Sequence, residues 1–244
     1  MAFNRLAPED FVVSSDSITA TLWSAGAVSL TNFYTSSVQE AGSSGDFYLN
    51  IYQTTSTSAA AAVQFAIAYG NQYGSGSSFY NNAVVGASPT KTTYGQYQVL
   101  VIGDENTNFQ WGTNQPSGSE FFALSVERSA YKESLFLGSM TLIITGSSGS
   151  ISLTDNSNYV ASTTFTEAGR LYQLITGSAG TRATLTSKNT SDGYSATSGS
   201  YGWLLPDLGT IILNSVALAQ PAISGGIAFT YSGSITGSTG PVTS

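Results

Sequence analysis

The side chains that carry most enzymatic chemistry are missing from this sequence. It contains no histidine and no cysteine. Ser-His-Asp and Cys-His machinery, thiolate nucleophiles, disulfides and cysteine-ligated metals are therefore excluded. The remaining candidates for acid–base work are the fourteen Asp and Glu residues. This composition predicts a protein that is not an enzyme and that carries no cofactor and no metal.

Two sets of acids could still suggest glycoside cleavage, which needs two carboxyl groups at a fixed separation around a sugar. One set combines Asp104 and Glu105 with Glu120, and the other combines Glu127 with Glu133. The sequence does not give their separation in space, and fourteen scattered acids produce such pairs by chance. A hydrolase that uses acids alone is therefore the weakest of three functional hypotheses.

The stretch at residues 104–108 has the alternating oxygen ligands with which calcium loops begin. Asp104, Asn106 and Asn108 alternate, but a calcium loop also needs a glycine at its sixth position and a bidentate acid at its twelfth. Those two positions hold Phe109 and Gln115. The stretch is therefore predicted to be an ordinary Asx turn and not a metal site.

Charged residues are few, at 9% of the sequence, and only one group of them is clustered. Glu127 and Arg128 are followed closely by Lys132 and Glu133. One interpretation is a local salt-bridge network, which contributes little to stability on a surface. The other is an ion pair across a subunit interface. Both interpretations remain open from the sequence.

The aromatic residues offer a further kind of site, because Tyr combines a large contact area with a polar hydroxyl. Tyr73 and Tyr80 are interpreted as interface residues, whereas Tyr48 and Tyr52 are assigned to a β core. Trp111 is another interface candidate. A carbohydrate-binding or adhesion module is the alternative hypothesis, and its stacking platforms would be Trp23, Trp111 and Trp203.

The elements that must position these side chains are mostly short apolar segments separated by Gly, Ser and Asn. That pattern predicts a mainly β fold, with antiparallel sheets arranged as a sandwich or a barrel. The strand candidates include residues 47–52, 97–102, 121–126, 140–144, 170–175 and 208–213.

One segment predicts a helix instead. Residues 59–69 hold six alanines, and alanine is the best helix former. Apolar side chains also recur at the helical spacing of i, i+3, i+4 and i+7, at Ala62, Phe65, Ala66 and Tyr69. We expect one short Ala-rich helix at about residues 58–70, and a helical turn near residues 129–136.

The change in pattern near Gly138 predicts two domains. Residues 1–138 would form a β-rich domain that carries the helix. Residues 139–244 would form a smaller β domain that ends in a flexible Gly/Ser/Thr-rich tail. A single domain is the alternative, because 244 residues also fit one large β domain.

The net charge and the number of basic residues indicate which kinds of partner this protein can bind. The net charge is −7, and seven scattered Lys and Arg residues argue against nucleic acid as a partner.

The first residues lack the apolar segment of a signal peptide, and no window reaches the ~18 apolar residues of a membrane span. Sparse ions also make a surface inexpensive to desolvate. We expect a protein made in the cytoplasm, with no membrane contact, whose faces are covered by other subunits.

Four strings in the sequence are distinctive: residues 62–77 (AVQFAIAYGNQYGSGS), 91–97 (KTTYGQY), 126–133 (VERSAYKE) and 199–214 (GSYGWLLPDLGTIILN). They resemble segments of structural proteins from T4-like, contractile-tailed phages of marine cyanobacteria. The resemblance implies a homo-oligomeric virion component of the tail or baseplate region that contacts other virion proteins. A head decoration or neck protein is a further alternative. The motifs carry no chemistry, so the family supplies no catalytic residues.

Overall fold

The computed structural model describes residues 34–35, 48–54, 57–74, 89–112, 115 and 117–229. The strands in these ranges are β1 (Tyr34–Thr35), β2 (Tyr48–Tyr52), β3 (Val63–Asn71), β4 (Phe109–Gln110), β5 (Ser117–Gly118), β6 (Glu120–Val126), β7 (Leu142–Gly146), β8 (Gly149–Asp155), β9 (Thr164–Thr166), β10 (Gly169–Ser178), β11 (Thr181–Arg182), β12 (Gly202–Leu205) and β13 (Thr210–Asn214). The helices are α1 (Pro89–Tyr97), a π-helical segment (Gln98–Ile102), α2 (Ser215–Ala219) and three 3-10 turns (Arg128–Ala130, Pro206–Leu208 and Ala222–Ser224).

One curled antiparallel sheet of eleven strands dominates the described part of the chain. Its order is β1-β2-β3-β6-β13-β12-β10-β8-β7, and the short strands β9 and β11 attach to β10. Strands β4 and β5 form a separate two-stranded sheet. The mainly β, antiparallel class expected from the sequence is confirmed.

The central strands of this sheet bury side chains on both faces. Along β6, Phe121 and Ala123 belong to one hydrophobic cluster, while Leu124 and Val126 belong to the other. Side chains on a strand point alternately to opposite faces, so this division follows from the pleat. Strand β13 shows the same alternation. Ile212 lies in the cluster of Phe121, and the residues on either side of it lie in the cluster of Leu124. We call these clusters the first core, which contains Leu124, and the second core, which contains Phe121.

The helix expected at residues 58–70 is wrong, because residues 63–71 form strand β3. β3 is paired along both edges, with β2 on one side and β6 on the other. The helix preference of alanine over most other residues is below about 0.7 kcal/mol per residue, and hydrogen bonding along two edges outweighs it. The branched and aromatic residues of β3 also alternate with alanines, which suits a pleated strand.

The small alanine side chains of β3 let helix α1 lie close to the sheet. Ala66 and Ala68 lie opposite Ser125 and Ala123 of β6, on the face of the second core. Tyr97 of α1 shares a 2.9 Å hydrogen bond with Ser125 on this face.

The strand expected at residues 97–102 is also wrong, because this segment continues α1 as the π-helical segment. Tyr94 and Val101 are both 2% exposed and lie in the second core, seven residues apart as on one face of a helix. Gly103 ends the segment in a left-handed conformation at φ 79°, and its N–H donates to the carbonyl of Val99. Burial of this face therefore overrides the strand preference of its branched residues.

Other expectations agree with the observed elements. Strands β2, β6, β7, β10 and β13 overlap the expected segments, and Arg128–Ala130 forms a 3-10 turn at the start of the expected helical turn. Strand β12 was missed. The C-terminal tail, Tyr80 and Trp23 lie outside the described residues.

The sheet is continuous across the domain boundary suggested near Gly138. Strand β6 precedes that residue and β13 follows it, yet the two pair over five register positions from Thr210–Ser125 to Asn214–Phe121. The sheet therefore crosses the expected boundary, and the division into domains stays a prediction. In the described ranges no helix is both long enough and apolar enough to span a membrane.

The close approach of β12 to β13 requires a glycine at residue 202. Gly202 has φ 147°, and a Cβ there would lie 2.0 Å from the carbonyl oxygen of Ile212. We expect Gly202→Ala to lower the free energy of unfolding by about 3 kcal/mol or more, because the strands would have to separate. Urea unfolding followed by tryptophan fluorescence measures this change.

Gly95→Ala is the matched control. Gly95 lies within α1, and a Cβ there meets no atom within 4 Å. This substitution is expected to stabilise the protein by up to about 1 kcal/mol. Equal losses of stability in the two variants would contradict the packing described for β12.

Candidate functional site

Two of the acids that the sequence suggested for catalysis or calcium binding, Asp104 and Glu120, have ordinary structural partners. Asp104 accepts hydrogen bonds from the Asn106 N–H at 2.9 Å and from the Thr107 hydroxyl, which forms the expected Asx turn. The hydrogen bond from Thr107 contributes most to lowering the pKa of Asp104. Glu120 accepts a hydrogen bond from the Tyr69 hydroxyl. Among the described residues, no three acids gather in a way that could hold a metal ion.

The charge cluster at residues 127–133 lies on the surface, and no ion pair joins its members within the described chain. Glu127, Arg128, Lys132 and Glu133 are all exposed. Arg128 instead donates to the carbonyl of Tyr131 at 2.7 Å, and its guanidinium lies 4.7 Å from the centre of that ring. The local salt-bridge network is therefore not formed, and the interface interpretation stays a prediction.

The aromatic candidates divide into exposed and buried residues. Tyr73 is 77% exposed, as an interface residue would be in an isolated chain. Trp111 and Trp203 are 2% and 8% exposed and pack together in the second core, with ring centres 4.9 Å apart. Neither indole can act as an exposed stacking platform. Tyr48 and Tyr52 lie half-buried in β2.

A cleft of 340 Å³ lies beside the buried tryptophans, between the segment after β4 and the loop at residues 190–199. Its lining contains amides, hydroxyls, two aromatic rings and two glycines, and none of the described lining residues is charged. The amides and rings belong to Gln110, Gln115, Gln173, Trp111 and Tyr194. No local sequence pattern marks this site, because its residues come from three separate parts of the chain.

Three hydrogen bonds hold the walls of the cleft. Ser200 donates its N–H to the carbonyl of Trp111 at 2.8 Å, which joins the two loops. The neighbouring Gly199 has φ 79°, and a Cβ there would lie 2.4 Å from the same carbonyl oxygen. Asn156 links the other wall, since its Nδ2 donates to the Tyr194 hydroxyl and its Oδ1 accepts from the Gln173 N–H. Burial raises the pKa of Tyr194 above its usual value, and the hydrogen bond from Asn156 opposes this.

Polar atoms without partners are concentrated around the two buried indoles beside this cleft. Four buried side-chain polar atoms in the described residues lack a hydrogen-bond partner, and three of them are Trp111 Nε1, Trp203 Nε1 and Gln173 Oε1. Gln173 lies opposite Trp203 in the β10–β12 register, so the three residues adjoin. An unpartnered buried polar group costs roughly 1–3 kcal/mol. A cluster of three in one place is therefore unusual and needs a specific explanation.

A second feature is the free edge of the sheet at β7. In the described chain β7 pairs with β8 and with no other strand. Its residues are Leu142, Ile143, Ile144, Thr145 and Gly146, and the Ile143 side chain is 67% exposed. Leu142 and Ile144 instead pack against the first core. Among the described residues, the strand therefore presents an exposed apolar side chain together with backbone groups that no second strand pairs.

No protein-family model, no curated protein and no solved structure matches this chain. Function must therefore be inferred from the cleft, the β7 edge and the chemistry of the surface.

Arg170 and Asp207 form the one ion pair within the described residues, and its pH dependence tests how charge stabilises the fold. Asp207 accepts from both the guanidinium and the backbone N–H of Arg170, and the guanidinium contributes most to lowering the pKa of Asp207. A lowered folded-state pKa means that the stabilisation is present above the ordinary pKa of about 3.9 and is lost as pH falls through the folded value. The pair is one-third exposed, so solvent screens it.

We expect Asp207→Asn to lower the free energy of unfolding by about 1 kcal/mol at pH 7. The difference from the parent protein should shrink as the pH falls below about 4, because the parent then loses the same ion pair. Urea unfolding at several pH values measures both effects. Glu133→Gln removes an exposed carboxylate at the surface and serves as control. A difference that does not vary with pH would contradict this account of Asp207.

Proposed function

We propose that this chain is a non-enzymatic structural subunit of a bacteriophage particle, in the tail or baseplate region, that oligomerises and contacts neighbouring subunits. The virion assignment is supported by the resemblance of residues 62–77, 91–97, 126–133 and 199–214 to structural proteins of contractile-tailed phages. The low charge supports a surface that other subunits cover. The observation that carries the oligomerisation is the edge strand β7, which no strand other than β8 pairs within the described residues.

The free edge of β7 has the properties of a strand that pairs with another chain. Hydrogen-bonded pairs alternate along an antiparallel ladder, so every second residue of β7 directs its N–H and C=O away from β8. Proteins usually protect such edges with lysine, proline, inward-pointing charges or a bulge. The five residues of β7 include no charge and no proline, and the β7–β8 register is continuous from Leu142 to Gly146.

A second copy of the chain is the partner that this edge fits best. Two β7 strands related by a two-fold axis would pair antiparallel, because such an interface brings the same patch of each subunit together. No like charges would oppose one another, since β7 has none. Pairing would also cover part of the exposed Ile143 side chain, and apolar burial contributes about 25 cal/mol per Å².

Ile143→Lys tests the β7 interface. A lysine on an edge strand places like charges opposite one another when two copies pair, and it keeps the edge hydrated. Sedimentation velocity of the full chain should show dimers or larger species for the parent protein. We expect Ile143→Lys to weaken self-association by at least about tenfold, which corresponds to about 1.4 kcal/mol.

Ile223→Lys is the matched control, because Ile223 is 81% exposed in a 3-10 turn outside the sheet. It should associate like the parent protein. Thermal unfolding must show that both variants remain folded. A parent chain that stays monomeric, or an Ile143→Lys variant that associates unchanged, would disprove the β7 interface.

The virion assignment has its own test. We expect mass spectrometry of purified phage particles to detect this chain at a fixed ratio to the other tail proteins. Its presence in infected cells together with its absence from intact particles would exclude a structural role in the virion.

A further inference from the structure

The cleft beside Trp111 has the composition of a binding site for an uncharged, hydroxyl-rich molecule. None of its described lining residues is charged, so nothing there would neutralise a phosphate or a carboxylate. A metal ion would lack its usual ligands, because the described residues of the lining include no acid. A purely apolar ligand would leave the amides of Gln110, Gln115 and Gln173 without partners.

Glutamine side chains match the hydroxyl groups of a sugar. Each amide offers two N–H donors and one carbonyl acceptor, and each sugar hydroxyl both donates and accepts. Gln173 is the residue at which this match matters most, because its Oε1 is buried without a partner. Rotation of the amide about its last side-chain bond brings that oxygen to the cleft, where a ligand hydroxyl can donate to it.

The rest of the cleft suits a small ring. Tyr194 contributes a half-buried aromatic ring to the wall, and such rings pack against the apolar face of a pyranose while their hydroxyls stay polar. A volume of 340 Å³ lies at the lower end of the range for small-molecule pockets, about 300–1,000 Å³. The space therefore suits one or two sugar units.

The site is held in place before any ligand arrives. The hydrogen bonds of Asn156 to Tyr194 and Gln173 orient one wall, and the contact of Ser200 with Trp111 holds the other. A preformed site loses less conformational freedom when it binds. We propose that this cleft binds a neutral saccharide, with the Gln173 and Gln115 amides pairing with its hydroxyl groups. This would add glycan recognition to a structural subunit.

The test titrates the full chain with glucose, galactose, mannose and N-acetylglucosamine, followed by saturation-transfer NMR and by tryptophan fluorescence. We expect at least one of these sugars to bind with a dissociation constant on the order of 1 mM. The fluorescence should change on binding, because Trp111 borders the cleft. A neutral glycan array then distinguishes a free sugar from the terminal unit of a surface glycan.

Two variants locate the binding and one controls for it. Gln173→Leu keeps the size of the side chain but removes the amide, and it should abolish binding while the thermal midpoint is unchanged or raised. Gln115→Ala should weaken binding at least about fivefold, because it removes one hydrogen-bonding group. Gln96→Ala, at an exposed glutamine of α1, should bind like the parent protein.

The proposal is overturned if the folded parent chain binds none of these sugars at concentrations to about 20 mM. It is also overturned if binding survives both Gln173→Leu and Gln115→Ala. Neither result bears on self-association through β7, which is measured by sedimentation in the absence of sugar.

Discussion

The burial of strands β6, β12 and β13 on both faces is the constraint that places the rest of the molecule. These strands send alternate side chains into two cores, so the sheet cannot leave either face to water. Full burial of one such Leu or Ile side chain contributes about 1.5–3 kcal/mol. The α1 and π-helical segments cover one face with Tyr94 and Val101, and α2 covers the other with Ala217 and Leu218.

The same alternation creates the cleft. Gln173 and Trp203 are partners across β10 and β12, and both side chains lie on the face of the second core. Trp111 reaches this face from the segment after β4 and packs against Trp203. The indoles therefore serve the core, and the glutamines Gln110, Gln115 and Gln173 beside them line the cleft. The apolar packing thus positions a polar site.

The two proposed sites, the β7 edge and the cleft, have the same kind of uncharged surface. Neither β7 nor the described lining of the cleft has a charged residue. Hydroxyls and amides cost less to desolvate than ions do, so both surfaces can be covered by a partner without a large penalty. An edge strand extends its contact along the backbone, whereas the cleft admits only a small ring. The two features can therefore act independently in one subunit.

The sequence by itself determined the properties that depend on composition and on short-range pattern. Missing His and Cys excluded whole classes of catalysis, the failed calcium spacing at Asp104 predicted an Asx turn, and Gly/Ser punctuation predicted a mainly β, antiparallel fold. Only the tertiary structure decided the conformations of residues 63–71 and 97–102. Local preferences there amount to less than about 1 kcal/mol per residue, and they yield to pairing on two edges and to burial of Tyr94 and Val101. The cleft also depended on tertiary structure, because register and packing bring Trp111, Gln173 and Tyr194 together from distant parts of the chain.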